Sequence, residues 1–283
     1  MKSIITKNDV KCSLIVFFLS LIIINPLIAQ KSKKIYILTD LEGVSGVYKF
    51  AQTREKGTQL NIQACEYFME DLAAVIRGLQ DGGATEILVL DGHGNQCVIP
   101  DMMVPGAKYI TGLPRPSNYG LDSSFVGMVQ FGAHAMMGVS DGVLNHTMSS
   151  KSEKRYWYNG VECGELAIAG MIAGYYGVPT IMVTGDVAVC RESEHFFGSS
   201  CVNVAVKKGI TREAAVLYPF EETHKALYEG AKKAMEAIPD CKPYKMDLPI
   251  QGKLQYLSDN PSYTKKIVTK EAVFDDPRDI LNF

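Results

Sequence analysis

The chain has 283 residues, 47% hydrophobic and 21% charged, and its 29 basic and 31 acidic residues leave a net charge of −2 at neutral pH. This length supports one large domain or two modest ones, and the composition excludes a disordered or collagen-like chain. The slightly acidic net charge argues against binding to DNA or RNA, so we expect no nucleic-acid partner.

The N-terminus has the pattern of an export signal. A lysine-bearing start is followed by an apolar stretch over residues 14–24, by Asn25-Pro26 and by the small residue Ala29, which predicts a signal peptide over residues 1–29. The apolar stretch is shorter than the roughly 20 residues of a membrane-spanning helix, although an uncleaved anchor is the alternative. We expect a secreted or periplasmic protein without stable membrane insertion after processing. An oxidising compartment would permit a disulfide, for which Cys190 and Cys201 are the nearest pair in sequence.

After the signal, short apolar runs alternate with helical stretches. Residues 35–39 and 87–90 have the composition of buried strands, and residues 62–79 between them place apolar side chains at helical spacing. Further strands are predicted over residues 125–131, 180–184 and 202–206, and helices over residues 165–176 and 212–236. Asn159-Gly160 predicts a two-residue hairpin turn. The pattern is typical of an α/β fold with a largely parallel sheet flanked by helices. We assign residues 30–209 to a metal-binding catalytic domain and residues 210–283 to a smaller C-terminal lobe.

Polar residues follow these strands where each one ends. In a parallel sheet such positions meet at one edge, where ligands bind. The side chains expected to converge there are Asp40, Glu42, Asp91, His93, His134 and Asp186.

Several of these residues are candidate metal ligands. The spacing of Asp40 and Glu42 directs both carboxylates to one side of an extended segment, and the glycines around His93 leave it little packing role. A histidine such as His134 is also common as a hydrogen-bonded core residue, and Glu165 could merely complement a helix dipole. Imidazoles and carboxylates clustered at one sheet edge nevertheless favour a bound cation.

His146 is separated in sequence from the other candidates. We expect it to remain free of metal and available for proton transfer, the alternative being a histidine in a surface loop. The sequence contains no nucleophile elbow and no Walker loop, and its Gly43–Gly46 segment lacks the third glycine of a dinucleotide-binding loop.

Five motifs follow one another in the chain: Asp40-Leu41-Glu42-Gly43-Val44-Ser45-Gly46, Asp91-Gly92-His93, Gly132-Ala133-His134-Ala135, Gly142-Val143-Leu144-Asn145-His146-Thr147-Met148 and Gly164-Glu165-Leu166. In this order they resemble the motifs of the DppA-type zinc-dependent D-aminopeptidases, and the resemblance covers about residues 35–219. The resemblance implies two zinc ions per chain held by Asp40, Glu42, His93, His134 and Glu165, with Asp40 as the bridge and His146 as the catalytic histidine. It also implies a ring-shaped homo-oligomer.

The sequence thus predicts a secreted zinc-dependent aminopeptidase that removes the N-terminal residue, possibly a D-amino acid such as D-alanine, from short peptides. Another two-metal hydrolase, such as a phosphoesterase, is one alternative, and a non-enzymatic binding protein that retains the metal is the other.

Overall fold

The computed structural model describes residues 32–94, 97–258 and 265–283. Residues 32–283 form one compact unit. The predicted signal peptide lies outside the described residues. Within the described ranges, no helix combines the length and the apolarity that crossing a membrane requires.

The described residues form two sheets and five α-helices. The strands are β1 Lys34–Thr39, β2 Glu86–Asp91, β3 Ala107–Ile110, β4 Phe125–Ala133, β5 Arg155–Tyr158, β6 Val161–Cys163, β7 Thr180–Asp186, β8 Val202–Thr211, β9 Ala214–Leu217, β10 Ile250–Leu257 and β11 Ile267–Phe274. The α-helices are α1 Phe50–Arg54, α2 Gln59–Asp81, α3 Glu165–Tyr175, α4 Val187–Phe197 and α5 Phe220–Ala237.

The larger sheet has seven strands in the order β3-β2-β1-β4-β7-β8-β9. Every neighbouring pair is parallel except β8 and β9. The chain runs outward from β1 through β2 to β3 and then returns to place β4 on the other side of β1. A crevice for ligands forms at such a reversal, beyond the carboxyl ends of the strands. The predicted α/β fold with a largely parallel sheet is confirmed.

Helices α2 and α5 pack together against one part of the core. The apolar residues of α2 lie at helical spacing in the sequence, which predicts that they form its buried face. All seven are buried in the structure: Cys65, Phe68, Met69, Leu72, Val75, Ile76 and Leu79. They pack with Leu227 and Ala231 of α5 and with Ile35 and Ile37 of β1. Burial of one such side chain stabilises the fold by roughly 1.5–3 kcal/mol.

The smaller sheet is antiparallel, with the order β11-β10-β5-β6. Residues 166–174 of α3 are all buried, because this helix packs both with residues of the large sheet and with the small sheet. The hairpin turn predicted at Asn159-Gly160 joins β5 to β6, and both residues have the positive φ angles of such a turn, 49° and 81°.

The region after residue 209 differs from the prediction in one respect. The predicted helix over residues 212–236 begins only at Phe220, because residues 214–217 form β9 and pair with β8. Pro219, which has no backbone N–H to donate, immediately precedes the first helical residue. Residues after 209 contribute to both sheets, and the predicted division at residue 209 stays a prediction.

Candidate metal centre and active site

The strand register places the first candidate ligand at the reversal of the sheet. Thr39, the last residue of β1, pairs with Asp91 of β2 on one side and with Phe131 of β4 on the other. Asp40 follows directly, and its backbone N–H donates to the carbonyl of Phe131 at 2.8 Å. Its carboxylate therefore lies where loops from three strands meet.

Two glycines allow the loop after β1 to pack tightly against the end of β4. The N–H of Gly43 donates to the carbonyl of Gly132 at 2.7 Å. A Cβ at Gly43 would lie 2.1 Å from the carbonyl oxygen of Ala133, and Gly132 has a φ of +66°. Only glycine fits both positions, and the resulting contact brings Asp40 next to His134.

One group of donors consists of Asp40, Glu42 and His93. The His93 Nδ1 atom lies 2.9 Å from Asp40 Oδ1 and 2.9 Å from Glu42 Oε2. On the other side of the ring, Nε2 lies 3.0 Å from the carbonyl oxygen of Thr53. This carbonyl can accept the Nε2 proton and so leave Nδ1 free to bind a cation.

A second group consists of His134, His146 and Glu165. The Glu165 Oε1 atom lies 3.4 Å from His134 Nε2 and 3.7 Å from His146 Nε2. It also accepts the backbone N–H of Met148 at 2.6 Å. The two imidazole rings stack with their centroids 3.9 Å apart. His146 is separated in sequence from the other candidates, but the loop between β4 and β5 folds its ring onto that of His134.

Asp40 joins the two groups, since its Oδ1 faces His93 and its Oδ2 lies 3.3 Å from His134 Nε2. In each group, one donor atom from each residue lies within 4.8 Å of the others. Two of these atoms, Glu42 Oε2 and His134 Nε2, are buried, and their nearest polar neighbours are other members of the two groups. Imidazole and carboxylate atoms that converge in this way fit cation ligands, and this donor set suits zinc.

Carboxylates and imidazoles of the two groups shift one another's pKa values. Burial alone would raise the pKa of Asp40, but its contacts with His134 and His93 lower it well below its usual range. Burial likewise opposes the charged form of His134, yet Glu165 and Asp40 hold its pKa well above the ordinary value. Protons therefore compete with cations for these ligands, as is usual at metal sites.

His146 has the opposite shift. Burial and the neighbouring charge of His134 lower its pKa. Its Nδ1 lies 2.8 Å from the carbonyl oxygen of Leu144, which can accept an Nδ1 proton and leave Nε2 as the acceptor. A neutral imidazole in this state can take up a proton at Nε2.

The two groups face a cleft of about 340 Å³. Asp40, Glu42, His93, His146 and Glu165 all line it. Two other acidic residues that were expected there have structural roles. The Asp91 carboxylate accepts from Cys97 N and Thr111 Oγ1, and that of Asp186 accepts from Val143 N and Val189 N at the start of α4.

Two supporting residues were not identified from sequence. Lys207 is fully buried, and its Nζ donates to the carbonyls of Glu42, Val44 and Val47 at 2.5–2.7 Å. Burial lowers the pKa of Lys207 to about 8. Nothing in the local sequence distinguishes Lys207 from the exposed Lys208. Only the alternation of inward and outward side chains along the strand could have predicted its burial.

Glu192 of α4 supports the other side of the site. Its Oε2 accepts the N–H of Met136 at 2.8 Å, and burial raises its pKa to about 7. A Cβ at Gly164 would lie 2.8 Å from its Oε1, so the glycine before Glu165 makes room for this carboxyl group.

The cysteines are not part of this site. Among the described residues no disulfide forms, so the structure does not contain the bridge considered between Cys190 and Cys201.

A family model described as D-aminopeptidase, peptidase family M55, matches residues 33–276. The chain belongs to this family. The family model matches well beyond residue 219, which is where the resemblance of the sequence motifs ends. Family membership makes the protein a peptidase and disfavours both the phosphoesterase and the non-enzymatic alternatives.

A curated relative and a solved structure are also similar to this chain. A D-aminopeptidase of Bacillus subtilis (strain 168) is 28% identical over an alignment of 219 residues, and the alignment covers 74% of this chain and 76% of the relative. A solved structure, described as the Zn-dependent D-aminopeptidase DppA from Bacillus subtilis, a self-compartmentalizing protease, matches with a TM-score of 0.81. The match covers 88% of this chain and 94% of the other at 24% identity, and it shows the shared fold.

Proposed function

We propose that this peptidase binds two zinc ions per chain and hydrolyses the N-terminal residue, a D-amino acid such as D-alanine, from short peptides. The observation that carries the proposal is the pair of donor groups joined by Asp40 at one cleft. The zinc dependence of the similar Bacillus subtilis structure supports the choice of metal.

The five ligands proposed for the metal are Asp40, Glu42, His93, His134 and Glu165. Five donors exceed the four of a single tetrahedral structural site, and the position of Asp40 between the groups suits a shared ligand. When bound, zinc ions supply Lewis-acid polarisation of a carbonyl group.

His146 is the proposed proton-transfer residue. Its Nδ1 faces the carbonyl of Leu144, which fixes the ring and directs Nε2 towards Glu165 in the cleft. An imidazole held in this way can accept a proton during attack on the peptide carbonyl and return it to the leaving amine. The buried carboxylates around it favour the positive charge that it then carries.

We also propose export and self-association. The signal pattern of residues 1–29 would deliver the protein outside the cytoplasm, where peptides with D-alanine arise from cell-wall turnover. Assembly into a homo-oligomer, a ring by the family resemblance, is supported by the description of the similar structure as self-compartmentalizing.

The experiment that tests the activity compares paired substrates. Purified protein loaded with zinc is given D-alanyl-D-alanine, L-alanyl-L-alanine and p-nitrophenyl phosphate. The proposal expects release of alanine from the D,D-dipeptide at a rate well above the L,L-dipeptide, and no release of nitrophenol. Equal rates on both dipeptides would remove the stereospecific part of the proposal, whereas turnover of the phosphate ester alone would overturn it.

A further inference from the structure

A second cavity lies directly beside the metal centre. It has a volume of about 150 Å³, and it shares Gly92, Met148 and Glu165 with the cleft described above. Since Glu165 lines both spaces, a peptide whose scissile bond lies at the two donor groups can extend into this cavity. With less than half the volume of the cleft, the cavity suits a small group.

Most of the cavity wall is apolar. Leu38 and Leu90 come from the ends of β1 and β2, and Ile168, Ala169 and Ile172 come from α3. Such a wall favours an aliphatic group and offers nothing to a charged side chain.

Another part of the wall is polar and is formed by the segment after β3. Arg115 and Asn118 both line the cavity. The Arg115 side chain is fixed by a hydrogen bond from Nη2 to the backbone carbonyl of Asp91. Its buried Nε and the buried Nδ2 of Asn118 have no hydrogen-bond partner among the described residues.

These unpaired atoms are both N–H donors, and one of them belongs to a guanidinium group. Buried donors without an acceptor are costly, so a ligand that supplies one is favoured. A carboxylate is the group that a guanidinium and an amide together bind best.

We propose that this cavity binds the C-terminal carboxylate of the substrate, with Arg115 and Asn118 as the residues that recognise it. The inference rests on the proposed aminopeptidase function and specifies its substrate class. The cavity holds one small residue with its free carboxylate, so the preferred substrates are dipeptides with a small apolar second residue. Longer peptides and C-terminal amides would place a neutral group against Arg115 and bind more weakly.

The test compares D-alanyl-D-alanine with its C-terminal amide, using the wild type and Arg115→Gln. The wild type is expected to prefer the free acid through a lower KM. Arg115→Gln should raise the KM for the acid roughly 10- to 100-fold, the effect of losing a charged hydrogen-bonding partner. The kcat values and the hydrolysis of the amide should change little. Arg77→Gln, which removes an exposed arginine of α2, is the matched control and should behave as the wild type.

Asn118→Asp provides a second variant should Arg115→Gln fail to fold. Asn118 has a φ of +54°, a conformation that aspartate also tolerates. The change replaces the N–H donor by a negative charge of nearly the same shape, and it should abolish the preference for the acid over the amide.

The outcomes separate this inference from the proposed function. Equal kcat/KM of the wild type on acid and amide, or a preference that survives both variants, would overturn the carboxylate site while leaving the aminopeptidase intact. If no peptide is hydrolysed, the proposed function fails, and calorimetric titration of the same dipeptide and its amide into the wild type and the variants still decides the inference. If Arg115→Gln binds the acid as tightly as the wild type does, the inference is contradicted.

Discussion

The ammonium group of Lys207 lies 2.6 Å from the carbonyl oxygen of Glu42, although the strand of Lys207 lies three positions along the sheet from that of Asp40. The same Nζ donates to two further carbonyls of the loop after β1. One buried cation thus holds the backbone of a segment that carries two candidate ligands. Groups that orient metal ligands in this way contribute to metal affinity, although they do not touch the metal.

The first prediction is that Lys207→Met lowers zinc affinity by about 10- to 100-fold, the usual range for loss of an orienting group. Three carbonyls would lose their buried donor, so the loop carrying Asp40 and Glu42 would relax. Competition with a chromogenic chelator measures the affinity. Lys208→Met changes the exposed neighbour and should have no effect; zinc affinity equal in both variants would show that the ammonium has no orienting role.

The second prediction concerns metal content. Wild-type protein should bind two zinc ions per chain, and Asp40→Ala should bind fewer, because Asp40 alone faces both donor groups. Elemental analysis of dialysed samples gives the ratio. Asp141→Ala is a suitable control, since that carboxylate is paired with Arg191 at the surface. A full complement of zinc in Asp40→Ala would exclude the bridging role.

The third prediction separates catalysis from metal binding at the stacked histidines. His146→Ala should retain zinc and lower turnover by roughly 10²- to 10⁴-fold, as expected for loss of a general acid or base. His93→Ala should lose zinc and activity together, since it removes a donor. Both measurements are made on the same preparations. If His146→Ala loses as much zinc as His93→Ala, His146 is a ligand or a structural support.

The fourth prediction is a pH-dependent contribution to stability between helices α2 and α5. His224 Nε2 lies 3.2 Å from Asp71 Oδ1, and this carboxylate raises the pKa of His224. The folded pKa lies above the unfolded value of about 6.5, so the stabilisation is complete below about pH 6.5 and is lost as the pH rises through the folded pKa. The group is partly exposed, so we expect no more than about 1 kcal/mol.

Thermal unfolding of the wild type and His224→Gln at pH 5.5 and pH 9 measures this contribution. The wild type should have the higher Tm at pH 5.5, by up to about 2–4 °C for a domain of this size, and the difference should disappear at pH 9. Comparing the two proteins at each pH cancels the changes that other groups cause. A difference that grows with pH would show that the Asp71 contact does not act through the imidazolium.

Local patterns predicted the strands and helices of the sheet core well. Residues 35–39 and 62–79 have periodicities that depend only on which faces are buried, and the structure confirms them within a few residues. Where neighbouring strands override such patterns, the prediction was wrong: residues 214–217 look helical in isolation but pair with β8. Propensity is a weak guide when a sheet edge offers partners for the backbone.

The candidate ligands could be named from sequence because their chemistry and their position after strands are both local properties. Asp40 and His93 each follow a predicted strand closely, and resemblance to a known family assigned their roles. The convergence of His134 with His146 was not predictable, because it depends on how a loop of irregular backbone folds over the sheet edge.

The sequence by itself therefore determined the class of fold, the ligand types and the family. The tertiary structure decided which residues, distant in the chain, lie beside the candidate ligands. Lys207 is buried beneath the loop after β1, and Arg115 is fixed beside Glu165, only because the order of strands in the sheet brings those segments together. Strand order depends on contacts between residues far apart in the chain, which hydrophobic periodicity along a single segment does not encode.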